Sequence, residues 1–477
     1  MDYLRLKEAT TLPPPKMQNA LLRAYLEYIH PMLPMINLED FLESMSTVDD
    51  TTGRVSLAFF QAVMFAGSAF VDMRVLKKAG YPTRAEARNS LYRKVQLLYN
   101  FDYETDRLVL IQILLLMSLW HETLDRTRNA GHWIDIAVSH AYAIGLHTDP
   151  WRSKPPMSIT GQRLRRRTWW CCFIRDRYIC LGGERVPQIR DSDFNVPILE
   201  MADFQSEHLQ GKIPSASYAI CPYIADANKR GNLANLCIDQ IKLCKGSVFI
   251  NECHYTITSK EPLLHEQAPK RFPVSAETFA DSYRKLLEWY DSSSQCNATQ
   301  PYSLDSTTMN YDKHIFIYRV MLLMVYHGQI LQLHRLRLED PQTSPFEKPL
   351  SRMLVNHSAQ RISRLAKTTQ DLGIIEFLPG TTISIIKLAL AMGHSETKDV
   401  LQAVASEENE CHRQCARTLE ILQEIHVATD CNKRFTDDLI FDNTDPDLYR
   451  DIELDFNTCV DDDAENEDPA HTCSPSG

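Results

Sequence analysis

The stretch that decides the fold runs from Gly131 to Ile198, opening with GHWIDIAVSHAYAIGLHTDP (Gly131 to Pro150) and continuing with RLRRRTWWCCFIRDRYICLGGERVPQIRDSDFNVP (Arg163 to Pro197). In its first half Trp133, Ile136, Ala137, His140, Ala141 and Ile144 recur at three- and four-residue steps, which predicts an amphipathic helix. Gly145 stands where that helix should end, and Pro150 forbids its continuation. In its second half Leu164, Thr168, Cys171, Cys172, Arg175 and Ile179 form another stripe, with Asp176-Arg177 embedded in it. Two helices joined by a loop, with paired tryptophans and an embedded Asp-Arg, make a packing unit with no obvious chemistry.

Working outward, the 477 residues are ordinary for a globular chain, with 44% apolar and 24% charged residues. Glycine is scarce at 16 residues, and no β-type alternation competes with helical periodicity. Helices are expected over Gln18–Ile29, Leu38–Met45, Ser56–Ala69 and from Thr83 to Tyr99. Further ones are expected from Thr105 or Asp106 to Trp120, and over Leu236–Cys253, Ser275–Ser292, Lys313–Arg337, Ser351–Leu372, Thr381–Met392 and Ser406–Ala428. The fold class is therefore all-α: one large domain of about a dozen helices, residues 17–435, between a leader at 1–16 and a disordered acidic tail at 436–477.

The most apolar run, Leu108 to Trp120, falls short of the roughly 20 residues a membrane span needs, and Arg319 interrupts the next. No membrane partner is expected. The 13 cysteines are scattered, and no C-x-x-C occurs, so the expectation is free thiols rather than a disulfide framework or a metal site. His132, Asp135, His140 and His147 do not make a metal centre in this reading, because Gly145 breaks the helix between the last two. There is no G-x-S-x-G, no phosphate loop and no G-x-G-x-x-G, which argues against an enzyme.

Charge is unevenly placed. From Asp437 onward, fourteen acids face the single base Arg450, a net −13, while residues 1–436 are near neutral at +2. A neutral body lacks the basic footprint that duplex DNA needs. In the tail Phe441, Leu448, Tyr449, Leu454 and Phe456 are interleaved with acids, the composition of a segment that folds on a coactivator groove, or of a plain solubilising tail.

Leu21-Leu22-x-x-Tyr25 followed by His30-Pro31-x-x-Pro34 resembles the start of the fungal-specific transcription factor domain, the middle homology region of zinc-binuclear-cluster regulators. Gly131-x-Trp133 with Ala141-x-x-x-Gly145-Leu146-His147 resembles its second landmark. Arg165-Arg166-x-x-Trp169-Trp170, Asp176-Arg177 and Ile189-x-Asp191-x-Asp193-Phe194 resemble its third. Tyr326-His327 and Leu333-His334-Arg335 fit its late helices. The leader (Tyr3-Leu4, Leu12-Pro13-Pro14) and Ile174-Arg175-Asp176-Arg177 are most similar to cutinase-type transcription factors.

The resemblance covers residues 3–435. It implies a nuclear, helical regulatory and effector domain that controls metabolic or secondary-metabolite genes. It also implies coactivator or other transcription machinery as a partner, and a homo- or heterodimer with a full-length relative. The family's six-cysteine zinc cluster has no counterpart here, since the first cysteine is Cys171. No cofactor is expected in this chain, and DNA is reached only indirectly or through a missing N-terminal segment. Gly183-Glu184-Arg185-Val186-Pro187 departs from the family's Gly-Arg-Pro.

Within this frame Asp176-Arg177 reads as a buried ion pair or a cap on neighbouring loops, with an effector contact as the alternative. Trp133, Trp169 and Trp170 read as core aromatics or pocket walls. Arg163, Arg165, Arg166 and Arg167 read as a basic helix start packed on the Asp191/Asp193 loop, or as a nuclear localisation or phosphate-binding run. A small-molecule-binding protein or enzyme with a deep apolar pocket is the competing class.

Overall fold

The computed structural model describes residues 2–46, 55–120, 129–152, 156–181, 187–204, 226–246, 276–293, 312–340, 343–392 and 402–426. Residues Met1–Asn432 form one compact unit; the second, Lys433–Gly477, lies outside the described residues and includes the five tail hydrophobes. The described residues contain fifteen α-helices and no strand. The all-α expectation is met.

Local chemistry starts the helices where it should. Thr83 caps the helix Arg84–Asn100 by accepting from Glu86 N at 3.2 Å. Asp106 caps Arg107–Met117 through Leu108 N at 2.7 Å and Val109 N at 3.2 Å. Asn129 and Ser158 cap the two helices of the deciding stretch, Ala130–Ala143 and Ile159–Cys180. Each such cap satisfies an amide the helix cannot. Gly145 takes φ +70°, the left-handed conformation that ends Ala130–Ala143.

Numbered in chain order, the helices are α1 (Asp2–Leu6), α2 (Pro15–Tyr28), α3 (Leu38–Ser46), α4 (Leu57–Gly67), α5 (Met73–Lys78), α6 (Arg84–Asn100), α7 (Arg107–Met117), α8 (Ala130–Ala143) and α9 (Ile159–Cys180). They continue with α10 (Ala227–Gly246), α11 (Ala276–Ser292), α12 (Lys313–Glu339), α13 (Glu347–Asp371), α14 (Thr381–Met392) and α15 (Gln402–His426). The leader contributes α1 and packs through Leu4 and Ala9, both buried. Neither α1 nor α5 was visible as periodicity, because one turn or so of helix is too short to show a face.

Packing runs from neighbour to neighbour: α2 on α4, α4 on α6 and α7, α7 on α8, α8 on α9. Helix α10 links α9 to α11 and α12, and α12 lies along α13 and α14. Helix α15 covers α13 and α14 and returns to α6, closing the circuit. The segment Lys313–Leu338 in α12 is long and apolar enough to cross a membrane by length and composition alone, but 78% of it is buried in this packing. Its apolarity is that of a core helix.

The α2–α4 crossing is close. A β-carbon on Gly67 would stand 2.1 Å from Leu21 O, a backbone atom that cannot rotate away. Gly67→Ala should therefore cost about 3 kcal/mol through overpacking. Thermal melts of the variant against Gly231→Ala, a helical glycine whose added carbon would meet only Met201 Cε at 3.8 Å, would show whether the crossing sets the loss.

Two expectations shift. The buried face of α8 is Trp133, Ile134, Ala137, Val138 and Ala141, while Ile136, His140 and Ile144 are half-buried. Helix α9 is buried on all sides from Arg166 to Tyr178 rather than along one stripe. Arg166 and Arg167, which read as a basic helix start, are inside it along with the Asp176-Arg177 pair.

Candidate functional site: the landmark frame and the central cavity

The three landmarks, far apart in sequence, meet in space. Arg167 Nε donates to Pro34 O at 2.9 Å and its Nη2 to Ile36 O at 3.1 Å, tying α9 to the turn after His30-Pro31. Its Nη1 donates to Asp203 O at 2.5 Å. Pro31 O accepts from the Tyr318 hydroxyl at 3.3 Å. Arg165 caps the end of α8 through Ile144 O at 2.5 Å.

His147 O accepts from Asn195 N at 3.1 Å, and the rings of His147, Tyr142, Trp169 and Phe194 pack at tilted and edge-on angles into one aromatic cluster. Trp170 donates to Pro197 O at 2.8 Å, and Trp133 donates to the Tyr92 hydroxyl at 2.7 Å. Leu146 is buried beside them, and Asp193 is exposed.

Asp176 and Arg177 are both an ion pair and a loop clasp. Arg177 Nη1 meets Asp176 Oδ2 at 3.1 Å, and Asp176 also accepts from Gln188 N at 3.2 Å and Ile189 N at 3.1 Å. Arg177 Nη2 donates to Ile189 O at 2.6 Å and reaches Asp191 at 3.9 Å. Burial raises the Asp176 carboxyl above its ordinary range, while Arg177 and the two amides pull it back down. The geometry, with three donors on one carboxylate, favours the ion.

Arg166 and Arg167 of the basic run do not pack on Asp191 and Asp193 as the sequence suggested. Arg166 pairs instead with Asp203 at 2.9 Å and donates to Ile198 O at 2.7 Å. Asp203 lies in a short 3-10 turn, Met201–Phe204, that carried no periodic signal. The loop Gly183–Val186 is outside the described residues.

Helix α8 ends between His140 and His147, and among the described residues no three His, Cys, Asp or Glu side chains group as metal ligands. The seven described cysteines are free and spread over α9, α10 and α15, six of them buried. Such thiols do not fit a binuclear zinc cluster, so no step can be routed through that metal here.

The late-helix histidines are structural in placement. His327 Nδ1 lies 3.4 Å from Ser358 Oγ and His334 Nδ1 lies 3.2 Å from Ser351 Oγ, joining α12 to α13. Burial, then the nearby arginines, lowers His327 to about 3 and His334 to about 4. The unfolded chain takes up these protons near pH 6.5 and the folded one does not. Stability from both is thus complete above that value and is lost as pH falls toward 4, at about 1.4 kcal/mol per pH unit for each. The melting temperature should drop steeply between pH 6.5 and 4.5, and His327→Gln with His334→Gln should flatten that slope.

A cavity with a water-accessible volume of about 40 Å³ lies where α4, α6, α9, α10, α14 and α15 converge with the turns that follow α2 and α7. Its apolar wall includes Ile29, Leu33, Ala66, Phe70, Leu119 and Ile174; its polar wall includes Arg88, Arg175, Gln240 and His426. Arg88 is 1% exposed, and its Nε and Nη1 have no partner among the described residues. Its Nη2 reaches Leu119 O at 3.4 Å, and its guanidinium sits 4.9 Å over the Trp120 ring. Arg175 donates to Ser118 Oγ at 3.0 Å and Ser118 O at 2.6 Å.

Burial lowers Arg88 to about 9, with Arg84 adding to it, and lowers Arg175 to about 10. None of these residues had been singled out as a site. Arg88 sits one turn before the Leu91-Val95-Leu98 stripe and Arg175 lies within another, and an arginine on an apolar face is the signal that marks them.

The comparisons with known proteins agree with the frame. The fungal specific transcription factor domain matches residues 22–309. Cutinase transcription factor 1 beta of Fusarium vanettenii is 36% identical over 455 residues, 92% of this chain and 51% of that protein. Transcription factor cpaR of Aspergillus oryzae is 32% identical over 399 residues, 82% of this chain and 65% of that protein. The fusaric acid cluster transcription factor FUB12 of Fusarium oxysporum f. sp. lycopersici is 25% identical over 276 residues, 58% of this chain and 38% of that protein. The chain spans about half the length of the first two curated relatives it matches. No solved structure matches it. With its landmarks locked together as one buried frame and the family match covering more than half its length, the chain belongs to the fungal specific transcription factor domain family.

Proposed function

We propose that this chain is the regulatory and effector part of a nuclear transcription regulator that controls metabolic or secondary-metabolite genes and acts by recruitment, not catalysis. The observation that carries the reading is the family match over residues 22–309, joined to a landmark frame whose groups are committed to one another. Relatives named as a cutinase transcription factor and a fusaric acid cluster transcription factor support the gene class.

DNA binding is direct where a six-cysteine segment precedes these residues in frame, and otherwise passes through a dimer with a full-length relative. The acidic segment 436–477 recruits coactivator through Phe441, Leu448, Tyr449, Leu454 and Phe456, whose acidic neighbours keep them solvated until a groove accepts them. Fused to a foreign DNA-binding domain, the chain should activate a reporter, and removal of residues 436–477 should abolish that activation. Unchanged output after truncation overturns the role of the tail.

A further inference from the structure

The central cavity holds an imbalance that the family frame does not use. Two guanidinium groups line it, and among the described residues neither is paired with a carboxylate. Leaving a charge buried and unpaired costs several kcal/mol. Stacking of Arg88 on Trp120 and Phe65 offsets part of that cost, but supplies no acceptor for Nε and Nη1. Gln240 Oε1 is taken by the Tyr318 hydroxyl, which leaves its Nε2 shared only with the Tyr178 hydroxyl of the same wall. Arg88 Nε and Nη1 are donors and the unmatched Tyr178 hydroxyl on the same wall can also donate, so the missing partner is an acceptor with negative charge. A planar carboxylate offers about four lone pairs to such donors.

The rest of the wall is apolar, so the body behind the charge is aliphatic. With about 10–15 Å³ per water position, the cavity takes about three or four such positions. We propose that this cavity is a binding site for a short-chain aliphatic monocarboxylate of about two to four carbons, its carboxylate held by Arg88 with help from Arg175 and Gln240. Because the cavity joins α6, α9, α10 and the α14–α15 end, an occupant bridges both halves of the helical circuit. The inference rests on the cavity alone and stands or falls separately from the transcriptional reading.

Thermal shift and calorimetry on the full chain test it, with propionate as the probe and propionamide and chloride as controls. Propionate should raise the melting temperature saturably, and neither control should do so. Arg88→Met should leave the ligand-free melting temperature unchanged or higher, since it removes an unpaired charge, and should weaken propionate binding about tenfold or more. Should that variant fail to fold, Ala69→Leu, at another residue of the cavity wall, fills the cavity, leaves Arg88 in place and should abolish the shift. No stabilisation by propionate, an equal shift with propionamide or chloride, or full binding by either folded variant overturns the proposal.

Discussion

Replacing Arg167 by alanine should lower the folding free energy by about 3–5 kcal/mol, enough to leave a domain of ordinary stability largely unfolded at 37 °C. Arg167 is buried and satisfies three carbonyls on two separate segments: Pro34 and Ile36 after α2, and Asp203 beyond α9. Truncation leaves all three acceptors dry, at about 1–3 kcal/mol each before relaxation, and opens a void between α9 and the proline turn. Lysine is no substitute, because one ammonium cannot span two carbonyl groups on different segments as a planar fork does. Chemical denaturation of Arg167→Ala and Arg167→Lys, beside the exposed Lys16→Ala, measures the difference. A loss below about 1 kcal/mol for the alanine variant would mean the landmarks are not held together through this residue.

The second large effect belongs to Asp176. Asp176→Ala should cost about 3–5 kcal/mol, because it strands Arg177 as a buried charge and frees the amides of Gln188 and Ile189. Removing the partner as well should restore part of the loss: the double variant Asp176→Ala with Arg177→Met should be less destabilised than the two single losses added together. A coupling energy of about 1–3 kcal/mol in this cycle marks a structural pair. Additive losses would instead return the pair to the rank of an independent effector contact.

The helical fold was legible because helix signals are local. Thr83, Asp106 and Gly145 stop and start helices by chemistry that needs no tertiary partner, and Thr381–Met392 was placed to the residue. What stayed hidden was the inside of α9. Arg175 read as part of the apolar stripe, Asp176-Arg177 as a buried pair and Arg166 and Arg167 as a basic helix start, but the arginines' partners are carbonyls and acids supplied by Pro34, Ser118, Ile189 and Asp203, up to 133 residues away in sequence. No periodicity encodes such a partner. The pairing of Arg166 and Arg167 with Asp191 and Asp193 failed for the same reason. Asp203 competes for Arg166 from a short turn, and Arg177 is the residue that faces Asp191.

The cavity was illegible in another sense. Its wall comes from six helices and the turns between them, and only the fact that Arg88 and Arg175 occupy apolar registers hints that something polar is enclosed. The landmarks, by contrast, were readable as a family pattern before their geometry was known. The geometry explains the pattern: Arg167 holds Pro34, Arg165 holds the end of α8, Trp169 packs on Phe194 and Asp176 clasps Ile189, so a change in one strands a group on another segment.

The central claim is that the landmark residues are a scaffold for a transcription regulator and not its working surface. The direct measurement is reporter output from the intact chain, fused to a foreign DNA-binding domain, against the folded amount of Trp133→Phe, Arg167→Ala, Asp176→Ala and the Asp176→Ala/Arg177→Met pair. The account predicts that the intact chain activates and that every variant falls on one line, with output proportional to folded protein. An intact chain without effect on the reporter, or a fully folded landmark variant with no output, would contradict it.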